Sequence, residues 1–320
     1  EELNQAEDSK QHKVLVSLRT DSLISAGQRK SFNVGYLFLQ KIYYDLHIPN
    51  LCKQIAKSHA FSYDLDSILS RLVYERILHP CSKRSCFEMA SDLFESANFQ
   101  LHQIYRALSV IAQESDQIQA SLYEASKKLV KRQTGILYYD CTNYFFETDY
   151  PDGLKQYGPS KEHRPNPIVE MGLFMDMSGI PLAFCIHPGN TNEQTTLIPL
   201  EKQIMRDFSL SRFIVCTDAG LSSEQNRKFN NFGGRCFITT QSIKTLKKSL
   251  RQWCLDPTGW HLKGSDQTYN IRELEDTEEN RKKVFFKQLF VEGNDGKRDI
   301  DFDQTLIVTY SLKYRNYQSQ

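Results

Sequence analysis

Two aspartates stand at matching places in the sequence, each directly after an apolar run that is typical of a buried strand. Asp140 follows ILYY in the stretch ILYYDCTNYFFE, and Asp218 follows IVCT in the stretch SRFIVCTDAG. A carboxylate that leaves water without a partner costs several kcal/mol. Each aspartate therefore needs a cationic partner, an open position at the end of its strand, or a metal ion. The simplest alternative is a cap for the turn or helix that follows the strand.

If their strands are neighbours in one sheet, the two carboxylates can belong to one site, because functional groups gather at the ends of neighbouring strands. Like charges at short range repel, so such a pair needs a shared proton or a bound cation. Oxygen ligands favour Mg²⁺ or Mn²⁺ over zinc. Two such cations about 3.5–4 Å apart activate a water on one side of a phosphodiester and stabilise the leaving oxygen on the other. Asp140 and Asp218 are therefore candidate metal ligands and catalytic residues.

Basic residues are concentrated near both aspartates, although the net charge of +1 by itself indicates no partner. Residues 225–255 contain no Asp or Glu and seven basic residues, and the loop GPSKEHRP lies between two predicted strands. Such clusters suit the phosphate backbone of DNA, and the alternative is a solvated helix face or an exposed hairpin. The candidate DNA-binding residues are Lys161, Arg164, Arg227, Lys228, Arg235, Lys244, Lys247 and Lys248, with Arg251 closing the stretch.

Three further polar residues have less specific patterns. Thr142 and Asn143 follow Asp140 closely, and either could order a metal-bound water or a phosphate, or simply cap a turn. Glu193 is most simply a cap near the start of the next helix, although it could approach the site.

The elements that must position these residues change in type near residue 134. Before this point, stretches such as YDLDSILSRLVYERIL have apolar residues at helical spacing. After it, the pattern predicts strands in GILYYDCT, SRFIVCTDAG and GRCFITTQ. PIVEMGLFMDMSGIPLAFCIHPGN predicts two more strands joined by a tight turn at Met177, Ser178 and Gly179, so the first three strands are expected to form an antiparallel meander. We predict an α/β fold with a helical region over 1–134, a mixed-sheet core over 135–248 and a β-rich segment over 249–320.

Composition limits the remaining classes of protein. No apolar run is long enough to span a bilayer, and no signal peptide opens the chain. The eight cysteines form no CxxC pair, and they are expected to be reduced packing residues of a cytoplasmic protein.

The chain from about residue 31 onward resembles the transposases of the IS4 superfamily of bacterial insertion sequences, closest to the IS1634 group. The resemblance is carried by YYDCTNYFFE, YGPSKEHRPNPIVEMGLFMDMSGIPLAF, PGNTNEQTTLIPLE and VCTDAGLSS, in that order. It implies an RNase H-like fold and a DDE site in which Asp140 and Asp218 match the two aspartates. It also implies Mg²⁺ or Mn²⁺ as cofactor, terminal inverted repeats and target DNA as partners, and a homodimer in a synaptic complex. The helical region over 1–134 is expected to bind DNA and to recognise the terminal inverted repeats.

The same resemblance implies a third acid on a helix after the β-rich insertion. We find no match to that segment, and we expect the chain to end before the final core helix, which leaves open whether this chain is itself an active enzyme. The expected activity is DNA strand cleavage and strand transfer at terminal inverted repeats. Two alternatives stay open: a metal-dependent nuclease of RNase H type that only hydrolyses, and a non-catalytic DNA-binding remnant of a transposase.

Overall fold

A computed structural model describes residues 26–27, 31–95, 97–293 and 302–318. The chain divides into two compact units between Arg132 and Gln133. None of the helices in the described ranges is long and apolar enough to cross a membrane. The eight cysteines are all free thiols, but Cys236 is exposed, so the prediction that it is a packing residue was wrong.

The described part of the first unit is helical, as predicted. Its helices pack around two groups of buried side chains, one centred on Ile68 and the other on Tyr36 and Tyr74. The helices are α1 (Tyr36–Asp45), α2 (Ile48–Ser58), α3 (Leu65–Leu78), α4 (Lys83–Met89), α5 (Leu101–Gln113) and α6 (Ser115–Leu129).

Helix α3 shows how the local sequence sets an element. Asp64 caps its first turn by accepting hydrogen bonds from the backbone N–H groups of Asp66 and Ser67. Leu65, Ile68 and Leu72 are buried along one side. Ile77, an apolar residue of the same stretch, is 57% exposed. At 3.6 residues per turn it lies about 120° around the helix from Leu65 and therefore outside the buried side.

The second unit contains a five-stranded sheet in the order β3-β2-β1-β4-β5. Strands β1, β4 and β5 are parallel, and β2 is antiparallel to both of its neighbours, β1 and β3. This mixed sheet has the strand order of the RNase H-like fold, which confirms the predicted fold class. The strands are β1 (Ile136–Phe145), β2 (Ile168–Asp176), β3 (Pro181–Pro188), β4 (Ile214–Thr217) and β5 (Cys236–Thr239), and the helices α7 (Leu197–Asp207) and α8 (Glu224–Asn230) flank β4 in sequence.

A second, four-stranded sheet follows in the order β7-β6-β8-β9, all antiparallel. It forms the β-rich segment predicted after the core. Its strands are β6 (Trp260–Leu262), β7 (Thr268–Tyr269), β8 (Phe285–Val291) and β9 (Gln304–Tyr310), with the helices α9 (Lys248–Leu255), α10 (Glu278–Arg281) and α11 (Leu312–Gln318). The exact division of the chain at residues 134 and 248 stays a prediction.

The antiparallel meander is confirmed, and Gly179 at φ +77° makes the turn between β2 and β3. The prediction that the first strand ends at Asp140 was wrong. Strand β1 continues to Phe145 because β2 pairs with it over that whole length, down to Phe145 opposite Ile168. An antiparallel partner supplied by a hairpin can lengthen a strand beyond its apolar run.

Candidate functional site

Asp140 and Asp218 occupy equivalent positions on two neighbouring parallel strands. The last residue pair between β1 and β4 is Tyr138 opposite Cys216. Asp140 and Asp218 each come two residues after this pair; Asp140 is still within β1, and Asp218 follows the last residue of β4 with an extended backbone. Neighbouring strands lie about 5 Å apart, so the two aspartates start from adjacent backbone positions. The strands of the pair are neighbours, as the hypothesis of a shared site requires, but Asp140 lies within β1 and not at its end.

Both aspartates are exposed and both make local hydrogen bonds. The Asp140 side chain is 68% exposed, and its Oδ1 accepts a hydrogen bond of 2.8 Å from the Cys141 backbone N–H. Asp218 caps the short 3₁₀ helix Ala219–Leu221 by accepting from the Leu221 N–H at 3.2 Å. Asp218 therefore does have the capping role that was the simplest alternative. Each carboxylate still has oxygen lone pairs that these hydrogen bonds do not use.

Lys161 brings a positive charge to this group of carboxylates. Its Nζ lies 3.8 Å from Asp140 Oδ1 and 3.9 Å from Glu193 Oε1, and it donates a hydrogen bond to the Cys141 carbonyl. The predicted pairing of Lys161 with a DNA phosphate is not tested by these contacts. In the free protein its ammonium is the cation between two carboxylates.

Two glutamates, Glu193 and Glu170, complete the group. Glu193 opens the 3₁₀ turn Glu193–Thr195. Its Oε2 and the Asp218 Oδ1 lie 3.7 and 3.4 Å from the position that a Cβ on Gly220 would take, so these two oxygens are at most about 7 Å apart. Glu170 lies on β2, is 2% exposed, and its Oε1 has no hydrogen-bond partner.

The environment of Glu170 changes its protonation. Burial, reinforced by the adjacent Glu193 carboxylate, raises the pKa of Glu170 to about 7, although the nearby Lys161 opposes the shift. His187, its cross-strand neighbour on β3, lies 3.1 Å from the Cys185 thiol through Nε2, and burial lowers the pKa of this imidazole. His187 therefore adds no positive charge at neutral pH.

The turn that carries Glu193 is held from beneath by a buried hydroxyl network. Thr196, fully buried, lies 2.6 Å from the Tyr139 hydroxyl and 3.3 Å from the Cys141 thiol, and it donates to the Glu193 carbonyl at 2.7 Å. Burial raises the pKa of both Tyr139 and Cys141, so both stay protonated at neutral pH. This network fixes the Glu193 turn to the inner face of β1.

Asn226 joins the segments that carry Glu193 and Asp218. Its side chain is 3% exposed, and its Nδ2 donates to the Gln194 carbonyl at 2.9 Å and to the Leu221 carbonyl at 3.0 Å. A single amide therefore sets the separation of the two turns. Nothing in the sequence pattern distinguishes Asn226 from an ordinary residue of helix α8, because both partners are backbone carbonyls outside that helix.

Two glycines let the Lys161 loop and the Glu193 segment approach each other. A Cβ on Gly158 would lie 1.8 Å from the Gly189 carbonyl oxygen, and a Cβ on Gly189 would lie 2.2 Å from the Ile168 carbonyl oxygen. Such distances exclude any side chain at either position. The glycines of YGPSK and HPGN thus serve close backbone packing beside the site.

The two residues that follow Asp140 and Cys141 have different roles. Thr142 is exposed, and two residues beyond Asp140 it lies on the same face of β1. Asn143 holds the loop of Lys161: its Nδ2 donates to the Pro159 carbonyl at 3.2 Å, and its Oδ1 accepts from the Lys161 backbone N–H at 3.3 Å. Asn143 therefore positions Lys161, which the sequence did not predict.

The predicted DNA-binding cations fall into two groups. Arg227 donates to Gln304 Oε1 at 2.9 Å and lies over Phe302, and Arg235 lies 4.5 Å from the centre of the Phe229 ring and donates to its carbonyl. Both guanidinium groups are thus used inside the protein, because a long side chain on a short helix or turn can fold back onto neighbouring aromatic rings. The exposed members are Arg164, Lys228, Lys244, Lys247, Lys248 and Arg251.

Arg164 combines exposure with a fixed position. Its guanidinium carbon lies 4.4 Å from the centre of the Phe145 ring, and its Nε lies 3.4 Å from Glu162 Oε2. Stacking leaves the edge of the guanidinium available to an oxygen ligand. Arg164 thus stays a candidate for contact with a phosphate.

The donor atoms around Lys161 suit a hard divalent cation. They are carboxylate oxygens and one backbone carbonyl, which Mg²⁺ and Mn²⁺ prefer, and the buried Glu170 Oε1 lacks a donor. Across the described ranges, no three His, Cys, Asp or Glu side chains already stand in an arrangement that would hold a metal ion. The residues therefore fit such a cation chemically, while the ammonium of Lys161 lies between two of them.

No protein-family model and no curated protein sequence matches the chain. Solved structures of transposases are similar to it at low levels. One is a Mos1 transposase paired-end complex with the left transposon end (13% identity, TM-score 0.24, 57% of this chain and 61% of that chain). Another is a piggyBac transposase synaptic complex with hairpin DNA (8% identity, TM-score 0.33, 83% and 58%). A Mos1 mariner paired-end complex with Mn gives 12% identity and a TM-score of 0.23, with 61% and 73% covered.

The chain spans about three-fifths of the length of the first Mos1 chain and of the piggyBac chain. Identities and TM-scores this low do not carry the fold assignment, which rests on the strand order and directions of the five-stranded sheet.

Proposed function

We propose that this protein is a DNA transposase of an insertion sequence, of the IS4 type, that cleaves DNA and transfers strands at terminal inverted repeats. The observation that supports the proposal most strongly is the register of β1 and β4, whose last residue pair, Tyr138 and Cys216, lies two residues before both Asp140 and Asp218. Two carboxylates at equivalent positions on adjacent parallel strands form a site for a cation at the edge of the sheet.

Asp140 and Asp218 are proposed to hold Mg²⁺ or Mn²⁺. When bound, the cation supplies a Lewis acid that activates a water or a 3′ hydroxyl and stabilises the charge on the leaving oxygen. The aspartates act as ligands and not as nucleophiles. Lys161 and Arg164, both on the loop between β1 and β2, are proposed to contact the phosphates beside the cleaved bond.

The exposed lysines of residues 228–248 are proposed to extend DNA binding away from the cleaved bond. Phosphate contacts of this kind give affinity without sequence preference. Thr142 lies on the Asp140 face of β1 and is proposed to order a water or phosphate oxygen there. The proposed partners are terminal repeats, target DNA and a second copy of the chain in the synaptic complex.

The proposal is tested with an end-labelled DNA duplex that carries the inverted repeat flanking the gene, in Mg²⁺ and with a supercoiled plasmid as target. Transposition predicts cleavage at the repeat end followed by transfer of label to the plasmid. Label that is cleaved but never joined would identify a hydrolytic nuclease. Binding without cleavage, in both Mg²⁺ and Mn²⁺, would identify a non-catalytic DNA-binding protein.

A further inference from the structure

Glu193 lies near both aspartates, as the sequence allowed: its Oε1 shares the Lys161 ammonium with Asp140, and its Oε2 lies at most about 7 Å from Asp218 Oδ1. We propose that Glu193 is a further carboxylate ligand of the divalent-cation site of Asp140 and Asp218, and that the Lys161 ammonium holds this position when no cation is bound. The inference rests on the proposed function for the kind of site, but it concerns cation binding, which is measured without DNA.

The two oxygens of Glu193 approach different aspartates. Its Oε1 is 3.9 Å from Lys161 Nζ, which is itself 3.8 Å from Asp140 Oδ1. Its Oε2 lies on the side of Gly220 that also contacts Asp218 Oδ1. A carboxylate that spans two others can complete a set of oxygen ligands around one centre.

Glu170 gives independent evidence that this space accepts a cation. Its side chain is 2% exposed, its Oε1 has no partner, and its carboxyl group interacts most strongly with Glu193. Buried polar atoms are nearly always paired, so an orphaned carboxylate oxygen calls for an ion or a donor.

The charges around the site do not balance without a further cation. Among the described residues, the ion pairs of Asp140 and of Glu193 both go to Lys161. One ammonium thus pairs with two carboxylates of a group that also contains Asp218 and the Glu170 carboxyl group. A divalent cation brings twice the charge of the ammonium and closer ligand distances, about 2.0–2.6 Å.

The Lys161 ammonium is held in a way that permits displacement. Its Nζ donates a hydrogen bond to the Cys141 carbonyl, but its distances to the two carboxylates, 3.8 and 3.9 Å, exceed the 2.7–2.9 Å of a tight charge-assisted hydrogen bond. The backbone of Lys161 is anchored separately by Asn143. The side chain can therefore leave while its loop stays in place, and the carboxylates can then converge on a cation.

Mn²⁺ binding to the 320-residue chain tests the assignment, with free Mn²⁺ measured by electron paramagnetic resonance. Removal of a residue that only supports a metal ligand typically lowers metal affinity 10–100-fold. Glu193→Gln removes a proposed direct ligand, so it is expected to weaken Mn²⁺ binding at least about tenfold. Lys161→Met removes the competing ammonium and is expected to tighten binding roughly two- to fivefold, the range of an exposed ion pair. Matched controls are Glu162→Gln and Lys155→Met, which are expected to bind Mn²⁺ like the wild type.

Unchanged Mn²⁺ affinity in folded Glu193→Gln, or unchanged or weaker affinity in folded Lys161→Met, would overturn the inference. A second measurement uses the wild-type chain and so does not depend on the folding of variants. Acetylation of lysine amines, read by mass spectrometry, is expected to rise at Lys161 when Mn²⁺ is added and to stay constant at Lys155. No rise at Lys161 at saturating Mn²⁺ would equally overturn the displacement.

The outcome is separable from that of the proposed function. Mn²⁺ binding that depends on Glu193, in a chain that never cleaves or joins DNA, would leave the inference standing and remove the transposase assignment. DNA cleavage and strand joining that both survive Glu193→Gln would do the reverse.

Discussion

Replacement of Glu201 by Gln is expected to stabilise the protein at alkaline pH and to remove much of the pH dependence of its unfolding. Glu201 lies on α7 and is fully buried. Its Oε1 accepts a hydrogen bond of 2.8 Å from Asn230 Nδ2, while its Oε2 and the Asn230 Oδ1 have no donor. A proton on the carboxyl group would supply a donor to this pair of buried acceptors.

The magnitude follows from the pKa of the carboxyl group. Burial raises the pKa of Glu201 to about 7, although Asn230 and Arg235 favour the ionised form. Below the ordinary pKa of 4.5 the group is protonated in both states, so it contributes no pH dependence. As the pH rises from there to about 7, the unfolded chain loses the proton first, and the folded state is progressively destabilised. Because a tenfold difference in proton affinity between the two states corresponds to about 1.4 kcal/mol, the full effect above pH 7 is roughly 3 kcal/mol.

The assay is urea unfolding of the wild type and of Glu201→Gln at several pH values between 5 and 8. Both tryptophans, Trp253 and Trp260, lie in the second unit, so their fluorescence follows the unit that contains Glu201. The difference in unfolding free energy between variant and wild type should move in favour of the variant by roughly 2.5 kcal/mol from pH 5 to pH 8, because part of the full effect already develops below pH 5. An exposed carboxyl group serves as control in Glu147→Gln. A difference that stays constant across this range would refute the reasoning.

Three further perturbations have expected outcomes. In urea unfolding, Gly189→Ala should destabilise the second unit by more than about 2 kcal/mol, because the new Cβ would lie 2.2 Å from a backbone oxygen. Gly135→Ala is the control: its Cβ meets no atom within 4 Å, and it should change stability by under about 1 kcal/mol. Asn226→Ala should lower the free energy of unfolding by about 2–4 kcal/mol, because it leaves two carbonyls without their donor. It should also weaken Mn²⁺ binding, because the turns of Glu193 and Asp218 can then separate. A melting temperature and an Mn²⁺ affinity equal to those of the wild type would contradict the bridging role of Asn226. The exposed lysines Lys244, Lys247 and Lys248 are replaced with Gln. The slope of the logarithm of the DNA-binding constant against the logarithm of the salt concentration should become shallower by about 0.9 for each lost phosphate contact. An unchanged slope would show that these side chains do not contact DNA.

Much of the fold could be predicted from the sequence because its signals are local. The stretch LHQIYRALSVIAQ coincides with α5, and the alternation in IVEMGLFMD matches β2, in which every second residue is buried. The length of β1 was not predictable from its own residues, since residues 141–145 are held in the strand by pairing with β2.

The two aspartates of the site were predictable because both follow apolar strand runs, and a carboxylate there needs a reason. Glu170 gave no such signal: it is one acidic residue inside the alternating pattern of β2, and its burial becomes visible only when the sheet is assembled. Asn226 and Glu193 act through contacts with residues more than 30 positions away. Which basic residues are exposed and which are used inside the protein could not be predicted either, because it depends on the aromatic rings that lie beneath Arg227 and Arg235.

The central claim is that Asp140 and Asp218 together hold the cation that cleaves DNA. The most direct measurement is Mg²⁺-dependent cleavage of the inverted-repeat duplex by the wild type, Asp140→Asn and Asp218→Asn, with DNA binding of each chain measured in parallel in Ca²⁺. The account predicts cleavage by the wild type, a loss of at least about 10²–10³ in rate for each variant, and DNA binding within a fewfold of the wild type. Cleavage at the wild-type rate by either variant would contradict it.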